Sequence, residues 1–175
     1  MPQSLRDELF EVERQLVLGE LSTGWPVGAT QIETSLTSGN LNLVALRNTT
    51  YNVEYTESGE APLTNGQYLE TSADGSVDIL VTLGGQVAYG DLTGDGQEEA
   101  VVVVVSNPSG TAIFYDLAVV ADQEGTAAPV ASAALPDPVV LKEVDVEDGL
   151  IKVVMDTMGP GDVQCCPTQR TVSFY

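Results

Sequence analysis

The chain has 175 residues, 43% of them hydrophobic, which is enough for one domain with a real core. Six Lys and Arg stand against 26 Asp and Glu, a formal charge of -20, so nucleic acid and anionic membrane surfaces are repelled rather than bound. There is no histidine, which removes Ser-His and Cys-His catalysis, the commonest zinc ligand and the near-neutral pH switch.

The first predicted element is a helix. Ser4 is a suitable N-cap, Asp7 sits where a capping-box acid would, and Leu5, Leu9, Val12 and Leu16 form one apolar stripe up to Gly19. The segment is charged throughout and does not read as a signal peptide. No stretch approaches the roughly 18 apolar residues of a membrane-spanning helix. Residues 20–47 read as a loop anchored by Trp25, followed by a short strand at "LNLVALRN". The expected organisation is therefore a helix and connecting segment over residues 1–47 and a β domain over residues 48–175, together one compact unit.

From about Thr50 the apolar period becomes two, and turn dipeptides punctuate the chain: Asn65-Gly66, Asp74-Gly75, Gly84-Gly85 and Asp148-Gly149. Each pair suits the positive φ angles of a two-residue hairpin. A turn at Asp148-Gly149 pairs Glu147 with Leu150, Val146 with Ile151, Asp145 with Lys152 and Val144 with Val153. Apolar pairs then alternate with an opposite-charge pair, which makes "EVDVED" the wet side of a strand. Further strands are expected at "EAVVVVVS", "TAIFYDLAVVAD", "APVASAAL", "PVVLKEV" and "TVSFY". The unbroken valine run lacks polar alternation, as a central strand buried on both faces does. The predicted fold is mainly β: an antiparallel sandwich or barrel-like sheet of about nine or ten strands with an N-terminal helix.

Two segments carry candidate chemistry. In "GDLTGDGQEE" the residues Asp91, Thr93, Asp95, Gln97 and Glu99 fall at alternate positions, with Gly96 at the sharp turn. A hard ion such as calcium takes about six to eight oxygens, and such a loop can aim them inward. Val102 stands where an EF-hand needs a bidentate glutamate, and a valine run replaces the helix, so this is not an EF-hand. The pattern resembles the strand–loop–strand calcium loops of FG-GAP repeats, with Thr93 and Glu99 departing from their Asn/Asp and Asp. One copy without internal repetition excludes a propeller. The competing reading is a polar turn whose aspartates bond the backbone.

The second segment, "GPGDVQCCPTQR", holds the only cysteines, Cys165 and Cys166. Two thiols without histidine cannot build a structural zinc site. An intramolecular disulfide could join only these neighbours, whose Cα atoms sit about 3.8 Å apart across a trans peptide, below the usual range. Three states remain open: a rigid oxidised staple, two thiols, or a redox or ligand switch.

The segments "LRNTTYNV", "VAYGDLTGDGQEEAVVVVV", "GTAIFYDLAVV", "VDVEDGLIKVVMDT" and "GPGDVQCCPTQ" together resemble a family of bacterial secreted or lipoprotein domains with no established reaction. The resemblance spans roughly residues 45–175 and rests on the acidic loop combined with "CCPTQ"; "LPDPV" departs from it. It implies an extracytoplasmic location, with the signal outside this sequence; a cytoplasmic location is the alternative. The function expected is a non-catalytic domain that binds calcium and mediates an interaction with an unknown protein or small ligand. Its rivals are an enzyme using paired carboxylates and a redox-responsive module using the cysteine pair.

Overall fold

The computed structural model describes residues 40–109, 112–163 and 165–175. The N-terminal helix expected from Ser4 to Gly19 and the anchor at Trp25 lie outside them. The described protein is mainly β, with ten strands and one short helix.

The helix, α1, is Leu43–Leu46. It replaces the strand expected at "LNLVALRN". Asn42 caps it, its side-chain Oδ1 accepting from the Ala45 N–H at 3.0 Å. This local bond stabilises a helical turn, and the turn puts Leu41 and Leu46 into the core while Leu43 and Val44 stay exposed. Two short strands follow, β1 (Thr50–Asn52) and β2 (Glu60–Pro62), paired with each other.

The remaining strands are β3 (Gln67–Thr71), β4 (Val77–Gly90), β5 (Glu99–Pro108), β6 (Phe114–Gln123), β7 (Thr126–Ala134), β8 (Val140–Glu147), β9 (Leu150–Thr157) and β10 (Gln169–Phe174). All pairings are antiparallel. Strands β3 to β7 form a five-stranded sheet in chain order, curled like half a barrel, and β10-β9-β8 form a three-stranded sheet.

Strand β5 has a core on each face. Ala100, Val102 and Val104 join Leu41, Leu46, Tyr51, Val53, Ile79 and Val81 on one face. Val101 and Val103 join Leu117, Val144, Ile151, Val153 and Met155 on the other. This is why the valine run needs no polar alternation: the helix with β1–β2 covers one face, and the three-stranded sheet covers the other. Each fully buried valine contributes roughly 1.5–3 kcal/mol of transfer free energy. The first core includes Leu41 and Leu46, so the β unit takes in residues from before position 48.

Two of the four turn dipeptides fold as expected. Asn65 and Gly66 both take positive φ (53° and 84°), as do Asp148 and Gly149 (52° and 76°). The second hairpin has the register derived above, from Glu147 opposite Leu150 to Val144 opposite Val153. Its charge pairing differs in detail: Lys152 Nζ bonds Glu147 at 2.6 Å, while Asp145 accepts from the Val146 N–H at 2.8 Å. Asp74-Gly75 belongs to a longer turn closed from the Ser72 N–H to the Ser76 carbonyl at 2.9 Å.

Gly84-Gly85 is not a turn. It lies inside β4, where the register against β5 shifts between Leu83 and Val87. A Cβ on Gly84 would sit 3.0 Å from the Val103 carbonyl oxygen, so glycine permits a close approach at a bulge rather than a reversal. A dipeptide not singled out from the sequence makes the β6–β7 turn instead: Glu124 and Gly125 have φ of 54° and 90°.

Candidate functional site

The acidic loop connects β4, the longest strand of the five-stranded sheet, to the central strand β5. β4 ends at Gly90 and β5 begins at Glu99. Gly90 lies so close to β8 that a Cβ there would come within 2.9 Å of Val146 Cβ. On the far side, Gly149 of the β8–β9 turn lies against the Asp91 carbonyl, its notional Cβ 3.5 Å away. Leu92 packs on the second core. The loop is therefore held against the three-stranded sheet at its β4 end, over Gly90, Asp91 and Leu92.

Asp91 organises its interior. One carboxylate oxygen accepts from the Gly94 N–H at 2.6 Å and the other from the Gly96 N–H at 2.9 Å. Gly94 and Gly96 have φ of 75° and 86°, a region open to glycine, and this lets the backbone curl around the side chain. Asp95 accepts from the Gln97 N–H at 2.8 Å. Glu99 points the other way. It is only 3% exposed, and its Oε2 accepts from the Leu92 and Thr93 N–H groups at 2.9 and 3.3 Å. The Thr93 hydroxyl is 3.5 Å from its Oε1.

The structure thus brings Asp91 to Gly94 and Gly96, and Thr93 to Glu99. It does not gather the carboxylates of Asp91, Asp95 and Glu99 around one point; among the described residues no three acidic or cysteine side chains form such a group. The donors are all oxygens, which suits a hard cation. Asp91 has about four lone-pair sites and commits one on each oxygen to the backbone. Asp91, Thr93, Asp95 and Gln97 are the residues with oxygens to offer. Glu99 is engaged as the buried anchor of the loop.

Cys165 and Cys166 are joined to each other, with Cα atoms 3.8 Å apart. They are exposed in the connection between β9 and β10. Asp162 shapes that connection. Its Oδ2 accepts from the Gly159 N–H at 2.7 Å and the Thr168 N–H at 2.8 Å, and its Oδ1 from the Thr168 hydroxyl at 2.8 Å. These bonds, first the one from Gly159, hold its carboxyl below the usual range. Sequence reasoning passed over Asp162, although Asp following Gly-Pro-Gly is a turn signal.

Two further carboxylates had no sequence signal, because strand pairing and packing across the fold give them their partners. Asp156 on β9 bonds Arg170 on β10 at 2.6 Å and Lys142 on β8 at 3.1 Å, and Arg170 first, then Lys142, holds its carboxyl down. Asp116 on β6 is half-buried, and burial followed by the charge of Glu54 pushes its carboxyl up. Beside it the Tyr55 and Phe114 rings stack with centroids 4.3 Å apart.

Comparison of the chain with protein-family models, with curated proteins and with solved structures finds no match to it. Among the described residues, no helix is long and apolar enough to cross a membrane.

Proposed function

We propose that this chain is a non-catalytic, extracytoplasmic binding domain whose β4–β5 loop takes up calcium. The observation that carries the reading is the wrapping of the loop around Asp91, which directs one N–H to each carboxylate oxygen and leaves lone pairs on both. Asp95, Thr93 and Gln97 supply further oxygens in the same turn, and calcium would add a cross-link between them. Glu99 completes the set by leaving its backbone bonds, or stays as the anchor while water takes its place.

The packing of antiparallel sheets suits a binding role, because it buries the valine core and leaves the loops to carry contacts. The resemblance to bacterial secreted or lipoprotein domains supports the location, as does the cysteine pair, since disulfides persist in oxidising compartments. With a charge of -20, a protein partner is expected to present a basic patch, and association should slow as salt rises.

Calcium should bind with a dissociation constant of about 10⁻⁴–10⁻³ M, as in extracellular modules. A tenfold excess over that constant raises stability by about 1.4 kcal/mol. The test is calorimetric titration and thermal melting with calcium, with magnesium as the control for general charge screening. Asp91→Ala and Asp95→Ala should abolish the calcium-specific part of the shift. Equal shifts for the two ions, unchanged in Asp95→Ala, would sink the site.

A further inference from the structure

The Cys165–Cys166 bond does little for the stability of the fold. A disulfide acts mainly by shortening the loops open to the unfolded chain, and a bond between neighbours closes the smallest loop possible. The connection that carries it is already closed at its base by Asp162, through Gly159 and Thr168. Nor is the bond shielded. Both cysteines are exposed, and Cys165 forms one wall of an open trough lined by Ile113, Tyr115, Asp137 and Val139. Attack on a disulfide needs access to a sulfur along the S–S axis, and an exposed pair provides it where a core disulfide does not.

We propose that Cys165 and Cys166 form a reversible two-electron exchange site for a neutral or cationic dithiol. The thiolate of the incoming dithiol attacks one cysteine sulfur, the S–S bond breaks, and the other cysteine leaves as a thiolate that takes up a proton. The second thiol of the reagent loses its proton, attacks the mixed disulfide and expels the first cysteine, which is protonated in turn. The protein gains two electrons and two protons, and the dithiol becomes a disulfide. The chain has no third cysteine, so the reduced pair can close again only on itself. The charge class follows from the surroundings. Asp137 shares the trough, Asp162 lies in the same connection, and the chain carries a charge of -20. An anionic thiol approaches against that field, while a neutral or cationic one does not.

The experiment uses the full chain under native conditions, with Cys165→Ser/Cys166→Ser as the control. Dithiothreitol at low concentration should open the pair, read as uptake of two alkyl groups by intact mass, while far-UV circular dichroism and the melting temperature stay close to those of the oxidised protein. Cysteamine should react at least about threefold faster than the anionic mercaptopropionate at low ionic strength, when rates are corrected for thiolate fraction, and the gap should close at high salt. Opening only in denaturant, collapse of the fold on reduction, or equal rates for the two monothiols at low salt would overturn the proposal.

Discussion

Glu99 and Asp116 show how a carboxyl group takes opposite parts in the same sheet. Glu99 is buried, and two backbone N–H groups meet its carboxyl, so its buried oxygen is not left without a partner. Asp116 is half-buried, with no such donor among the described residues; burial first, then the like charge of Glu54, pushes its carboxyl up. A raised folded-state value has a definite sign. The stability that Asp116 contributes is fully present below the unfolded value of about 3.9 and is lost as the pH rises through the folded value. Asp116→Asn removes the charged form. The variant should therefore melt higher than the parent at pH 7, and the gain should disappear near pH 3.5, where both chains are neutral at this position. A melting temperature at pH 7 equal to or below the parent's would contradict the argument. Asp156 and Asp162 have the reverse sign, since both are held down. Their stability is present above the unfolded value and is lost on acidification.

Among the elements, β4 departs furthest from what its sequence suggests. A Gly-Gly pair in a β-rich chain reads as a hairpin, yet β4 runs through it for 14 residues and shifts register against β5 instead. The two glycines differ. A Cβ on Gly84 would press on the Val103 carbonyl oxygen at 3.0 Å and on Val103 Cβ at 3.1 Å, whereas one on Gly85 would meet nothing within 4 Å. Overpacking against a central strand costs about 1–3 kcal/mol. Gly84→Ala should lose stability of that order in urea unfolding, and Gly85→Ala should stay within about 0.5 kcal/mol of the parent. Equal losses for both would mean that the bulge needs glycine flexibility rather than space. Neither outcome is readable from the dipeptide, because the difference lies in a strand about twenty residues further on. The Asp148-Gly149 hairpin is the opposite case. Its turn, register and wet side were legible because all three depend on residues within a few positions of one another.

For the whole molecule the dominant quantity is charge. At -20, the compact state works against its own repulsion, which salt screens over a Debye length of about 10 Å at 0.1 M. Raising sodium chloride from 10 mM to 500 mM should raise the melting temperature, and a fall would show that specific ion pairs such as Asp156 with Arg170 and Lys142 outweigh the repulsion. The sequence by itself determined the class of the protein. The period of two, the turn residues and the valine run sufficed for a mainly β chain with a central strand buried on both faces, since these are local consequences of side-chain alternation and backbone sterics. It also determined which oxygens the acidic loop can offer and that the two cysteines have only each other. Tertiary structure decided the rest. It made a capped turn of "LNLVALRN", turned Glu99 inward as an anchor, placed Asp116 near Glu54, and set the cysteine pair in the open beside Ile113 and Tyr115. The placing of Asp116 and of the cysteine pair depends on which distant strands become neighbours, and that follows from how the sheets curl and cover one another, whereas the capped turn and the Glu99 anchor join short-range bonds to burial in the fold.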